Sequence, residues 1–193
     1  MRTFVAGLAF AMPFSLVYQM MSDRMKGQQK SEKVIKGLPF AAGFTAGTAV
    51  SIAGNMHYVI YAQIIPLIEK LTGKEVSSYW FPDATRYIGY NPYREEDRTI
   101  HEFPCYSFVL GDLHAHVVNI MFVLLVIAFL YVWLRGVRKK TVPVETSMKD
   151  GKFWKEQLLM PHLLVISALL GMFQWTNFWD FVIYYVVTLG TVL

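Results

Sequence analysis

LHAHVVNIMFVLLVIAFLYVWL, residues 113–134, decides the fold. Past its two histidines the run carries no titratable group other than Tyr131, and it is bracketed by Asp112 and Arg135. An uncharged apolar run of about 20 residues matches the thickness of a bilayer core, so it reads as a membrane-spanning helix. Working outward, runs nearly free of charge occupy 3–21, 38–61, 158–175 and 178–193. The charges gather between them, at 22–36, 69–102 and 135–156. Only 17% of the 193 residues are charged, where a soluble domain carries about a quarter. The fold class that follows is an all-α polytopic membrane protein. It has about five transmembrane helices in one membrane domain and a long loop, 67–112, between the second and third.

Charge asymmetry orients the spans. The loop 22–37 holds Arg24, Lys26, Lys30, Lys33 and Lys36, and the loop 135–157 holds Arg135, Arg138, Lys139, Lys140, Lys149, Lys152 and Lys155. Both follow odd-numbered spans, so both are expected on the cytoplasmic side, with 67–112 and the turn at Thr176-Asn177 outside. The net charge is +4 and the basic residues lie mainly in these two loops, which argues against a nucleic-acid partner. The single cysteine, Cys105, excludes an intramolecular disulfide and a CxxC metal site. The apolar run that ends at Leu193 and the outward-facing N-terminus read as a piece of a longer protein, whose remaining spans are expected partners. Within span two, Gly43 and Gly47 are four apart, which permits close helix packing or is ordinary spacing.

The outer loop interleaves aromatics and prolines with acids and arginines, from Tyr79-Trp80-Phe81-Pro82-Asp83 through Glu102-Phe103-Pro104-Cys105. A loop this long with apolar anchors is expected to pack on the membrane surface and to carry function. It ends in Gly111-Asp112-Leu113-His114-Ala115-His116. On a helix Asp112 and His116 share a face, and in an extended segment Asp112, His114 and His116 converge. Either way Asp112 and His116 can approach one ion or one substrate group. The alternative is that Asp112 caps a helix and the histidines are interfacial. Glu102 reads as a general base, a metal ligand or a surface acid. Arg86, Arg94 and Arg98 either grip a phosphate or pair with neighbouring acids. Asn177 and Asp180 read as a helix start with an acid in its first turn, on the same membrane face as Asp112. His57 and His162 read as structural.

The run RTIHEFPCYSFVLGDLHAH, residues 98–116, resembles the signature of a multi-span membrane family, DUF2298, also called the YYY membrane protein family. Thr176-Asn177-Phe178-Trp179-Asp180 resembles that family's aromatic-Asp turn, and Gly54-Asn55 and Trp80…Arg86 resemble its preceding elements. The pattern has Asn where His101 stands and Pro where Ala115 stands. The family is grouped with the GT-C membrane glycosyltransferases, so the resemblance implies a GT-C-like fold and a sugar taken from a polyprenyl-phosphate donor outside the cytoplasmic membrane. In that reading Asp112 or Glu102 is the catalytic base or a metal-associated acid. His114, His116 and Asp112 hold a divalent metal (Mg, Mn or Zn) or, for the histidines, the donor phosphate. Arg86, Arg98, His101 and Asp180 bind substrate, and the expected partners are membrane lipid and the lipid-linked donor. Two rival expectations are a metal-dependent membrane hydrolase using the Asp-x-His-x-His cluster and a non-catalytic transport or assembly subunit.

Overall fold

In the computed structural model the residues described are 2–26, 28, 31–54, 57–86, 93, 95–96, 99–138 and 160–192. The first helix, α1 (Arg2–Met25), is apolar through the first expected span and continues into its charged end, where Lys26 pairs with Asp23 at 2.9 Å. The second, α2 (Glu32–Ser51), begins six residues before the expected span. It starts with an Asp/Glu-type first turn, in which Glu32 pairs with Lys36 one turn on. Charged residues at both ends ride on the helices, because their long side chains carry the charge past the apolar zone.

The two helices form an antiparallel pair built on small residues. Pro39, Gly43, Gly47 and Ser51 recur every four residues and are the buried residues of α2. A side-chain carbon at Gly43 would lie 2.8 Å from the Phe14 carbonyl oxygen, and one at Gly47 2.9 Å from that of Phe10. The spacing noted in the sequence is therefore used for backbone-to-backbone approach. The rings of Phe10, Phe14 and Tyr18 stack along α1 at 6.1 and 6.0 Å, and Phe40 and Phe44 of α2 meet them edge-on.

The expected span 38–61 is not one helix. It ends at Ser51, where Thr48 O accepts both the Ile52 N–H (2.9 Å) and the Ala53 N–H (3.0 Å), and Ser51 Oγ donates to Gly47 O. Helix resumes at His57, passes through a π-helical turn (Val59–Ile64) and runs on as α3 (Ile65–Leu71). After α3 the chain folds back: Glu69 accepts the Ser77 N–H (2.8 Å) and hydroxyl (2.9 Å), which hold its carboxyl below the usual carboxylate range. A 3-10 turn (Phe81–Arg86) and the short helix α4 (Pro104–Leu110) complete this part.

The chain divides into two compact units, Met1–Leu113 and His114–Leu193. The second contains α5 (Ala115–Arg138), α6 (Pro161–Thr176) and α7 (Phe178–Val192). Its core is Val126 and Leu130 of α5 against Ile166, Leu170 and Phe173 of α6, with Phe181 and Tyr184 of α7 alongside. Helix α5 starts two residues later than the expected span and runs past it, with Arg135 over the Tyr131 ring at 5.8 Å. Among the described residues, Thr3–Met25 and Ala115–Gly136 are long and apolar enough to cross a membrane; Pro161–Thr176 and Phe178–Val192 are shorter apolar helices.

The glycine contact yields a paired prediction. Gly43→Leu is expected to destabilise the protein by about 1–3 kcal/mol through overpacking. Gly37→Ala, where an added carbon meets nothing within 4 Å, is expected to be neutral or slightly stabilising. Thermal unfolding of both variants in one detergent checks the contrast, and equal loss in both contradicts the packing role.

Candidate functional site

The described parts of the loop 67–112 fold back on the chain. Tyr79 reaches back to His57, with its hydroxyl 2.9 Å from Nδ1, and His57 stacks on Tyr61 at 4.5 Å. Burial, with Asp83 and Tyr58 nearby, pushes the Tyr79 hydroxyl up, so the phenol keeps its proton and can donate it. His57 is 2% exposed, a packed histidine as its place in the sequence suggested. Farther along, the His101 N–H donates to Thr85 O at 2.7 Å, and the Tyr106 ring lies parallel on Phe81, 5.6 Å away and tilted by 8°. These two contacts tie the segment after residue 99 to the 3-10 turn.

Between them lies a cavity of about 500 Å³ within the first unit. The α2 break supplies one wall through Ile52, Ala53 and Gly54, and the resumed helix adds Tyr58 and Val59. Phe81 and Ala84 come from the 3-10 turn. His101, Phe103, Cys105, Tyr106 and Val109 close it. The wall is predominantly apolar and aromatic. His101 Nδ1 is itself buried away from the cavity surface and has no hydrogen-bond partner among the described residues. Burial pushes the Cys105 thiol up.

The two candidate carboxylates flank α4. Glu102 is half-buried two residues before Pro104 opens that helix. Asp112 is exposed and follows Gly111, whose φ of 79° ends α4 in the left-handed region. Glycine is needed at that position because a side chain there is strained. The Gly111 N–H closes the turn on Ser107 O at 2.8 Å. With α4 seven residues long, its axis spans about 10 Å, so Glu102 and Asp112 are held apart by one short rigid rod. Asp112 is not in a helical turn, because α5 begins at Ala115. The helical version of the Asp112–His116 arrangement is thereby corrected: residues 112–114 are not helical. In the second unit His114 opens α5, its carbonyl accepting the Val117 and Val118 N–H groups. The His114 and His116 rings lie parallel, 5.9 Å apart with a 9° tilt. Among the described residues no three His, Cys, Asp or Glu side chains stand together to hold a metal, so the ligand set drawn from the sequence is incomplete here. Arg98, Arg94 and Asn55 lie outside the described residues, as does the side chain of Arg86, which ends the 3-10 turn.

Asp180 has a polar setting that the sequence reading missed. Asn119, 2% exposed in α5, donates through Nδ2 to Asp180 Oδ2 and to Thr176 Oγ1, both at 3.0 Å. Asn177 donates to the same Asp180 oxygen at 3.0 Å, and the Thr176 hydroxyl donates to Met172 O. The start-of-helix reading of Asn177 and Asp180 holds, since Asp180 lies in the first turn of α7 and its N–H bonds to Asn177 O. Asn119 is the addition: it fastens all three helices of the unit at one point. The available signal was a lone amide inside an uncharged span, which needs a polar partner.

Two outcomes follow. Asn119→Leu is expected to cost about 0.5–2 kcal/mol, measured by thermal unfolding, because it deletes two hydrogen bonds in an apolar setting. Alkylation of Cys105 is expected to be slower than that of a free thiol at pH 7.5 and to keep rising above the ordinary thiol range, since only the thiolate reacts. A rate that levels off below pH 8 contradicts the burial effect.

The sequence model of the family described as "Uncharacterized membrane protein (DUF2298)" matches residues 2–193. No curated protein and no solved structure matches the chain. The likeness first visible in residues 98–116 thus extends over nearly the whole length, and the chain belongs to the DUF2298 family of membrane proteins.

Proposed function

We propose that this chain is part of a GT-C-like glycosyltransferase that moves a sugar from a polyprenyl-phosphate donor to an acceptor hydroxyl. In this reading the protein crosses the cytoplasmic membrane several times, with about five spans in this stretch, and works on the extracytoplasmic face. The observation that carries it is the presentation of Glu102 and Asp112 by a folded loop at the end of apolar helices. The His101 N–H is locked on Thr85 immediately before Glu102, and the positive-φ Gly111 sets the chain direction immediately before Asp112. A carboxylate so placed can take a proton from an acceptor brought to the membrane surface.

The reaction is written with one of these carboxylates as base. It removes the proton of the acceptor hydroxyl as the acceptor oxygen bonds to the anomeric carbon. The bond from that carbon to the phosphate oxygen breaks, and the polyprenyl phosphate leaves with the electron pair. Arg86, Arg98, His101 and Asp180 are the groups assigned to substrate binding, with the arginines on the phosphate. His114 and His116 offer nitrogen donors to that phosphate or to a divalent metal. No step is routed through the metal, because two imidazoles fall short of a full ligand set. The parallel histidine pair is also the observation that favours the second reading, a metal-dependent membrane hydrolase.

The test is transfer by the full-length protein in membranes supplied with labelled polyprenyl-phosphate sugars. Asp112→Asn or Glu102→Gln, whichever removes the base, is expected to lower the rate by about 10²–10⁴-fold. Undiminished transfer by both variants refutes the assignment of the base. Absence of transfer with every donor, together with zinc binding lost on His114→Ala, supports the hydrolase.

A further inference from the structure

We infer that the end of the α1–α2 pair carrying Arg24, Lys26, Lys33 and Lys36 is a docking surface for the headgroups of anionic phospholipids. Its charge is a property of the sequence: residues 22–37 hold five bases and two acids. Both acids are engaged, Asp23 by Lys26 at 2.9 Å and Glu32 by Lys36. The other basic loop, 135–157, holds seven bases and three acids, so it has no surplus of acid to lend. All four named bases are exposed. The helix pairing gathers them. Gly47 packs on Phe10 and Gly43 on Phe14, and the same antiparallel register sets Lys33 level with Arg24. Like charges held at one level repel, and an anion beside both turns that repulsion into attraction.

Depth selects a lipid over a soluble anion. Thr3–Met25 is long and apolar enough to cross a membrane, and Arg24 and Lys26 stand at its end. On α2 the exposed apolar surface starts with Val34, Ile35 and Leu38. Lys33 and Lys36 precede Leu38 by five and two residues, about 8 and 3 Å along a helix. The polar headgroup layer on each side of a bilayer is about 5–8 Å deep. The ammonium groups therefore fall among lipid phosphates, while Val34, Ile35 and Leu38 lie against the upper acyl chains. A nucleic acid or an acidic peptide in water has no use for that apolar flank. This is also the end that charge asymmetry expects on the cytoplasmic side, whose leaflet is the anionic one. The inference is independent of sugar transfer, since it uses none of the groups assigned to catalysis or substrate binding.

The test reads lipid at this end of the pair alone. The full-length protein is prepared with Ser31→Cys in a background free of other cysteines, and a fluorophore is attached at that position. Ser31 is exposed, and its side chain makes no capping hydrogen bond to α2. In detergent the protein is titrated with phosphatidylglycerol or phosphatidylcholine, each carrying a quencher on the acyl chain. Phosphatidylglycerol is expected to reach half-quenching at the lower concentration, and the gap is expected to narrow as salt is added. Arg24→Gln with Lys33→Gln is expected to raise the phosphatidylglycerol midpoint about 25-fold, at about fivefold for each base removed from an acidic surface. The phosphatidylcholine midpoint stays where it was. Arg24→Lys with Lys33→Arg keeps both charges and is expected to keep the preference. Lys70→Gln with Lys74→Gln removes two exposed bases elsewhere and is expected to change neither curve. Equal midpoints for the two lipids in the unaltered protein overturn the inference. So does an unchanged midpoint in the Arg24→Gln, Lys33→Gln protein, or an equal rise in the Lys70→Gln, Lys74→Gln protein. Displacement of the quenching lipid by inorganic phosphate as readily as by unlabelled phosphatidylglycerol overturns the choice of a lipid.

Discussion

Inside a bilayer a backbone N–H or C=O finds no water, so each must be satisfied within its own helix or by a deliberate local partner. At every helix end the same groups need partners, and here the chain supplies them locally. At the end of α2 a single carbonyl, Thr48 O, accepts two N–H groups, and the Ser51 hydroxyl donates to a second carbonyl, Gly47 O. At the end of α4 the Gly111 N–H closes on Ser107 O, and its positive φ turns the chain toward Asp112. Between α6 and α7 a single residue, Asn177, separates the helices, and its carbonyl accepts the N–H of Asp180. Glu102, Asp112 and Asp180 stand at or beside such endings.

The helices were legible because their signal is cumulative. Twenty uncharged residues in a row leave one reading, and α1, α5, α6 and α7 fall within a few residues of the runs that announced them. The interruption of span two was not legible. Ile52-Ala53-Gly54 is as apolar as its surroundings, and Phe103, from a loop fifty residues away, lies beside Gly54. The helix pair α1–α2 lies between these cases. Four-residue spacing of Gly43 and Gly47 permitted close approach, yet only the carbonyls of Phe10 and Phe14 show that the approach is made.

The candidate site divides the same way. Glu102, Asp112, His114 and His116 drew attention as ionisable groups beside a span, a signal that residue type alone supplies. Asn119 drew none, because one amide in 24 residues of α5 alters no average, and its meaning comes from Thr176 and Asp180, which are distant in sequence. The cavity was likewise invisible, since its wall is assembled from segments that each look like ordinary apolar chain. His101 marks the difference: as a motif residue it was one of several candidates, and the structure shows its N–H bonded to Thr85 O and its ring at the wall of an apolar cavity.

The account rests on the loop 67–112 standing on the outer face, opposite the basic loops. Single cysteines placed one at a time in a Cys105→Ser background test this most directly, with labelling by a membrane-impermeant maleimide read on the relevant peptide. Glu75 and Lys36 are both exposed, so either position reports access and not burial. In intact cells Glu75→Cys is expected to label and Lys36→Cys to stay unlabelled until the membrane is opened. Labelling of Lys36→Cys in intact cells, with Glu75→Cys protected, contradicts the orientation and the outward-facing chemistry built on it.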